Sequence, residues 1–342
     1  GMIFTDSSFV DMTIYWGDGF WGILAFTMQM VIVLAAGHVL ANSPLFKKVL
    51  SGAASKIKTP SMAIIVVTFV SLVACWINWG FGLVIGALFA KEIARQVRKV
   101  DYRLLIASAY SGMVIWHGGL AGSIPLSIAT EGHPFQDVMG VVDTNTTLFS
   151  TYNLFIVLVI LFTLPIFNRF LMPKDEDVVE IDPSLIKDEE IALPKPEKNF
   201  ASISERSYII TGIVGLLGVT YIVYHFATKG FKLDLNIINT IFVISGIILH
   251  GTPQRFLAAA QQAIKTTSGI VFQFPFYAGI MGMMTFSGLG AVMSDWFINI
   301  SNDTTFYLFT FYSAGLVNFF VPSGGGQWTV QAPVMVEAAT TM

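Results

Sequence analysis

The sequence predicts an all-α protein of the membrane. Of its 342 residues, 54% are hydrophobic and only 12% are charged, where a soluble globular chain carries about 25% charged residues. Mean hydropathy is +0.69. Uncharged runs at 19–41, 61–90, 104–130, 144–168, 207–228, 236–253, 266–294 and 304–336 reach or exceed the roughly 18 residues that read as a spanning helix. A transmembrane barrel would instead show alternating segments of about ten residues.

Composition also removes function classes. Net charge is −3, and no basic, aromatic-interleaved stretch points to nucleic acid. Cys75 is the only cysteine, which excludes intrachain disulfides and cysteine-based metal sites. No HExxH, GxSxG or Walker motif is present, so the sequence offers no catalytic residue and no resident metal or cofactor. The chain opens Gly1-Met2 without a charged n-region and stops at Met342 just after an apolar run. No signal peptide is expected, and both ends read as cropped.

Charge sets the order of elements, because Lys and Arg in short loops mark the cytoplasmic side. Residues 1–18 carry Asp6, Asp11 and Asp18 and lie outside; 19–41 crosses inward to Lys47, Lys48, Lys56 and Lys58. Run 61–90 is followed by Lys91, Arg95, Arg98, Lys99 and Arg103, so both of its flanks are cytoplasmic. As one straight helix it would be about 45 Å long, against a hydrocarbon core of about 30 Å. A re-entrant hairpin turning at 78–82 resolves both conflicts. Run 104–130 then crosses outward to Glu131, Asp137 and Asp143, and 144–168 returns to Arg169 and Lys174. Residues 172–206 form a polar cytoplasmic linker. Runs 207–228, 236–253 and 266–294 cross in turn; Lys229 and Lys232, placed outside, are the one misfit. Run 304–336, flanked by Asp303 and Glu337 and broken at 318–326, reads as a second hairpin entering from outside.

Each half thus holds a crossing helix followed by a hairpin, in opposite orientations: a first repeat over 1–171, the linker 172–206, and a second repeat over 207–342 that is incomplete at its C-terminus. That is the inverted-repeat design of secondary transporters, with two re-entrant hairpins and broken transmembrane helices. Gln29 and Ser43 match Gln273 and Ser287 at one offset.

Three breaks carry the candidate chemistry: Asn78, Gly80 and Gly82; His117, Gly118, Gly119 and Ser123; and Asn318, Pro322, Ser323, Gly324, Gly325, Gly326 and Gln327. Irregular backbone at membrane depth leaves N–H and C=O groups that protein, water or ligand must satisfy. Helix N-termini there suit a carboxylate, and the Asn78 and Asn318 oxygens suit a cation such as Na⁺. Packing competes with this reading, since Gly82/Gly86 and Gly118/Gly122 both fit GxxxG, a helix-contact pattern. His117 is an intramembrane ionisable group, able to move a coupling proton or bond a substrate; a neutral histidine bonded to backbone is the equal alternative. Trp76, Trp79, Trp116 and Trp328 gather near the breaks, walling a small cavity or simply packing.

The strings YWGDGFW at 15–21, INWGFG at 77–82, FQFPFYAG at 272–279 and NFFVPSGGGQW at 318–328 resemble the bacterial short-chain fatty acid transporter family, whose members sit beside acetoacetate and butyrate breakdown genes. The resemblance covers essentially the whole chain, including Met172, Pro173 and Lys174 at the start of the linker. It implies a multi-pass inner-membrane carrier of butyrate-class anions, coupled to H⁺ or Na⁺ and working by alternating access of the elevator type. The broader group includes dicarboxylate, citrate and gluconate carriers with two hairpins and two broken helices around a midplane site. Family members extend further at both ends, which implies an opening helix before Gly1 and a second broken helix after Met342. The expected partners are a small organic anion and the lipid bilayer, with a homo-oligomer compatible. No charged residue lies inside the apolar runs, which favours a single negative charge held by dipoles and hydroxyls. Another small-anion carrier and an anion channel are the alternatives.

Overall fold

A computed structural model describes residues 1–186, 193, 195, 197–302 and 304–341. Parts of the linker (187–192, 194 and 196), the hairpin flank Asp303 and the terminal Met342 lie outside the described residues. Among the described residues every regular element is helical: α1 Phe9–Gly19, α2 Leu24–Ala41, α3 Pro44–Ala54, α4 Pro60–Ile77, α5 Trp79–Gln96, α6 Tyr102–Ser111, α7 Ser123–Ile128, α8 Gln136–Met139, α9 Thr151–Phe170, α10 Phe200–Glu205, α11 Tyr208–Lys229, α12 Leu235–His250, α13 Pro253–Lys265, α14 Ser268–Phe286, α15 Leu289–Ile300, α16 Phe306–Phe320 and α17 Gly324–Thr341. Short 3₁₀ turns join some of them; the longest, Gly112–Gly118, continues α6.

Six of these stretches are long and apolar enough to cross a membrane: Leu24–Ala41, Pro60–Ile77, Tyr102–Ile128, Thr151–Phe170, Tyr208–Lys229 and Ser268–Phe286. The protein is therefore an all-α, multi-pass membrane protein. Several boundaries differ from the sequence reading. Helix α1 occupies residues expected only to lie outside, opened by a capping box between Ser8 and Asp11. The loop after α2 contains an amphipathic helix, α3, started by Pro44. Run 266–294 is not one crossing: Gly288, at φ +74°, ends the first piece and α15 begins anew. Run 236–253 stops at His250, where left-handed Gly251 caps α12 and Pro253 opens α13.

The chain divides into two compact units that interleave along the sequence. One comprises Gly1–Val31, Ser123–Asp143 and Ser268–Met342; the other comprises Ile32–Gly122 and Thr144–Thr267.

In the second unit, α4 and α5 form a helical hairpin. Gly82 abuts Cys75 and Gly86 abuts Ser71, pairs spaced evenly about Asn78, so the two helices run antiparallel. Ser71 Oγ donates to the Ala109 carbonyl of α6. Asn168 of α9 donates to Thr68 Oγ1 (3.1 Å) and Ser111 Oγ (2.9 Å), tying three helices through one buried amide. Described parts of the linker are strapped to the base of this assembly. Asp101, buried, caps α6 at Leu104 N–H (2.9 Å) and accepts from Val179 N–H (2.9 Å) and Arg103 Nη2 (2.8 Å). Burial alone would raise its carboxyl; these three donors, led by Arg103, hold it down to about 2. Arg95 reaches the Ile186 carbonyl at 3.0 Å.

In the first unit, α1 crosses α14 at small residues: a Cβ on Gly19 would sit 2.7 Å from both the Ala278 carbonyl and Gly282 Cα. Side chains that small let two backbones approach closely. Helices α16 and α17 form the second hairpin, antiparallel by the pairs Asn318–Gln327 and Ser313–Gln331.

The offset that carries Gln29 onto Gln273 and Ser43 onto Ser287 also carries α1–α5 onto α13–α17, with every helix end within two residues. Equivalent positions meet the hairpin tips as well. Val33 of α2 accepts from Asn78, and its counterpart on α14, Tyr277, packs on Gly326.

Candidate functional site

The second unit contains Asn78, Gly80, Gly82, His117, Gly118 and Gly119. Asn78 is the single residue between α4 and α5, extended at φ −158°, ψ 124°. Its Oδ1 accepts from Phe81 N–H at 2.9 Å, the N-cap of α5, and its Nδ2 donates to the Val33 carbonyl at 3.3 Å. It is 0% exposed. An asparagine suits both tasks because it ends one helix in extended backbone and supplies the acceptor that starts the next. Gly80 lies beneath Leu34 of α2, with room for no Cβ, and Gly82 lies against Cys75. These glycines serve close packing, whatever else they do.

The break after the 3₁₀ turn meets the same hairpin. The Gly118 carbonyl accepts from Trp76 Nε1 and from Asn153 Nδ2, both at 3.1 Å. Leu120 N–H donates to the Trp76 carbonyl at 2.7 Å. A Cβ on Gly119 would lie 2.2 Å from that carbonyl, so only glycine fits. Several backbone groups freed by the break are thus satisfied by protein. His117 is half-buried, its ring 3.9 Å from that of Trp116. Trp79 stands edge-on to Trp116 at 5.5 Å. Its indole nitrogen is buried, and no acceptor reaches it. Trp76, Trp79, Trp116 and His117 therefore gather near the break, and Trp79 brings a buried donor without an acceptor.

The first unit contains Ser123, Asn318, Pro322, Ser323, Gly324, Gly325, Gly326 and Gln327. Ser123 opens α7; its hydroxyl is buried and unpartnered. Val321, Pro322 and Ser323 separate α16 from α17. Ser323 immediately precedes α17: its Oγ accepts from Gly326 N–H at 3.4 Å and its carbonyl from Gln327 N–H at 2.6 Å. The three glycines are buried, Gly325 against the Phe26 ring and Gly326 against the Tyr277 ring. Asn318 is exposed and donates to Gln327 Oε1 at 2.8 Å. Gln327 in turn donates to the Ala314 carbonyl (3.0 Å) and to Gln331 Oε1 (3.1 Å), and Gln331 donates to Ser313 Oγ (2.7 Å). A polar ladder thus runs along the second hairpin below its glycine-rich tip.

Three participants escape the sequence reading. Gln331 and Ser313 continue the ladder, and Asn153 anchors the Gly118 carbonyl. The spacing of Gln327 and Gln331, i and i+4 on one helix face, is the signal that could have found the ladder. Asn153 lies in an apolar run, with nothing in sequence to mark its target.

A family described as short chain fatty acid transporter matches residues 1–342. Two curated relatives carry the printed name "Putative short-chain fatty acid transporter". One, from Escherichia coli (strain K12), is 46% identical over 336 residues, which is 97% of this chain and 76% of that protein. The other, from Haemophilus influenzae, is 44% identical over 347 residues, 99% of this chain and 78% of that protein. No solved structure matches. With a whole-chain family match and relatives at this identity, the protein belongs to the short-chain fatty acid transporter family.

Proposed function

We propose that this protein carries short-chain fatty acid anions of the butyrate and acetoacetate class across the bacterial inner membrane. It is coupled to H⁺ or Na⁺ and works by alternating access of the elevator type. Each unit offers a candidate binding position of its own: in one, the tip of the first hairpin with the break after the 3₁₀ turn; in the other, Ser323–Gln327 on the second hairpin. The carboxylate accepts from N–H groups and from side-chain donors; the alkyl chain lies on aromatic faces. The Asn78 and Asn318 oxygens are the candidate cation ligands, and His117 is the candidate proton carrier. The repeat that this mechanism needs is supported by the common offset relating α1–α5 to α13–α17, and its inversion by the charge pattern of the flanking loops.

The observation that carries the substrate reading is Trp79. A buried indole N–H without an acceptor is costly to leave unmade, and it lies in an aromatic setting beside a backbone break. A single carboxylate oxygen fits it, with no cation required. Losing such a bond to a charged group costs about 1.5–3 kcal/mol, or roughly ten- to a hundredfold in affinity. Uptake of labelled butyrate in proteoliposomes, with Na⁺ and pH gradients imposed separately, tests the reading. Trp79→Phe should raise KM by that factor while folding normally. Succinate competing as well as butyrate, or an unchanged KM in Trp79→Phe, would refute it.

A further inference from the structure

Reaching the candidate site only at Gly80, the second unit holds a cavity of about 670 Å³. Its floor is Leu34 and buried Gly80, at the tip of the first hairpin; its mouth carries Lys47 of α3 and Lys91 of α5. Between them α5 contributes the apolar wall, including Leu83 and Leu88. From Gly80 to Lys91 the helix rises about 16 Å. Neither lysine has an ion-pair partner among the described residues. The acid at the mouth, Glu92, is held by Arg95 at 2.6 Å. Liquid water takes about 30 Å³ per molecule, so the space holds on the order of twenty waters. That is more space than a pocket fitted to a four-carbon acid would have.

We infer that this cavity is an anion-attracting vestibule that leads small carboxylates from the lysine-rich face to the tip of the first hairpin. The inference rests on the proposed function for its cargo. Two unpaired cations over low-dielectric walls focus potential and raise the local concentration of small anions, by tenfold or more at low salt. The apolar wall suits the alkyl portion of the same ion, so the passage fits a small amphiphilic carboxylate better than an inorganic anion.

The test uses Ala87→Cys, an exposed position on the cavity wall. Cys75 is buried and serves as an internal control. The purified carrier is alkylated with a sulfonate-bearing and a trimethylammonium-bearing thiosulfonate, each rate divided by that for a free thiol. The anionic reagent should be favoured about tenfold at low ionic strength, and the preference should collapse at high salt. It should fall to about one in Lys47→Gln/Lys91→Gln and persist in Lys48→Gln, whose lysine lies on α3 but not on the cavity. Butyrate should slow the reaction. Equal rates for the two reagents, or a preference that survives the double substitution, would overturn the inference. Slowing by anionic lipid vesicles but not by butyrate would also overturn it, by making a lipid headgroup the occupant. These rates do not depend on transport. Absence of butyrate uptake by the unsubstituted carrier would therefore count against the proposed function separately.

Discussion

Substituting Asn78 separates two roles that coincide in one side chain. Asn78→Leu removes the cap acceptor for Phe81 N–H and the donor to the Val33 carbonyl. Losing an N-cap costs about 0.5–2 kcal/mol, and leaving a buried N–H without a partner costs about 1–3 kcal/mol. Because the two terms share the Phe81 bond, a total of about 2–4 kcal/mol is expected. Asn78→Ser keeps a capping oxygen and loses only the weaker bond to Val33. The chain supplies its own unfolding probe, since its one cysteine is buried on α4 and becomes reactive when the hairpin opens. The midpoint for Cys75 labelling on heating should drop clearly in Asn78→Leu and little in Asn78→Ser. If Asn78 also binds substrate or cation, Asn78→Ser should remain folded yet lose most uptake per folded molecule. An unchanged midpoint in Asn78→Leu would refute the cap; normal uptake by folded Asn78→Ser would remove Asn78 from the site.

Three further outcomes follow from the same geometry. Asn318 is exposed, so Asn318→Leu should lower stability by no more than about 1 kcal/mol while abolishing most uptake; near-normal uptake per folded molecule would remove Asn318 from the binding residues. Gly119→Ala drives a methyl into the Trp76 carbonyl and should cost about 1–3 kcal/mol, whereas Gly315→Ala meets open space; equal Cys75 labelling midpoints for the two would contradict the close approach. The Asp101 carboxyl, at about 2 when folded against an unfolded value of ~3.9, contributes stability that is present above pH ~4 and lost as pH falls toward 2. Discounting for Arg103, whose side chain is 64% exposed, leaves about 1–2 kcal/mol; the gap between wild type and Asp101→Asn should narrow at pH 2.5, and a constant gap would refute the assignment.

The parts legible in sequence are those written in hydrophobic length and backbone-breaking residues. Asn78 between two apolar runs announced a hairpin turn, and Pro322 with its following glycines announced another. The break near His117 also stood out, though it falls at Gly119–Gly122 rather than across the whole interval from Trp116. What stayed hidden depends on partners. The Gly288 interruption looks, in sequence, like any glycine in an apolar run, and α3 looks like a lysine-bearing loop until its Leu50–Ala54 face finds a neighbour. Asn153 and Gln331 matter through the groups they reach, which no spacing specifies. The repeat is the instructive case. Few residue identities share its offset, yet the boundaries of α1–α5 and α13–α17 keep it closely; the offset relates the lengths and order of these helices, not their orientation in the membrane.

Helix α4 has a mechanical consequence of its own. Along one side chain after another it is met by bare backbone: Gly86 and Gly112 at Ser71, Gly82 at Cys75 and Gly119 at Trp76. Contacts of that kind leave no room for an added methyl and little slack to absorb a displacement, because packed interiors behave as close-packed solids. The hairpin, the 3₁₀ turn and the break after it are therefore geared together. A displacement of any one of them presses directly on the others, and bending is easier where longer side chains form the contact.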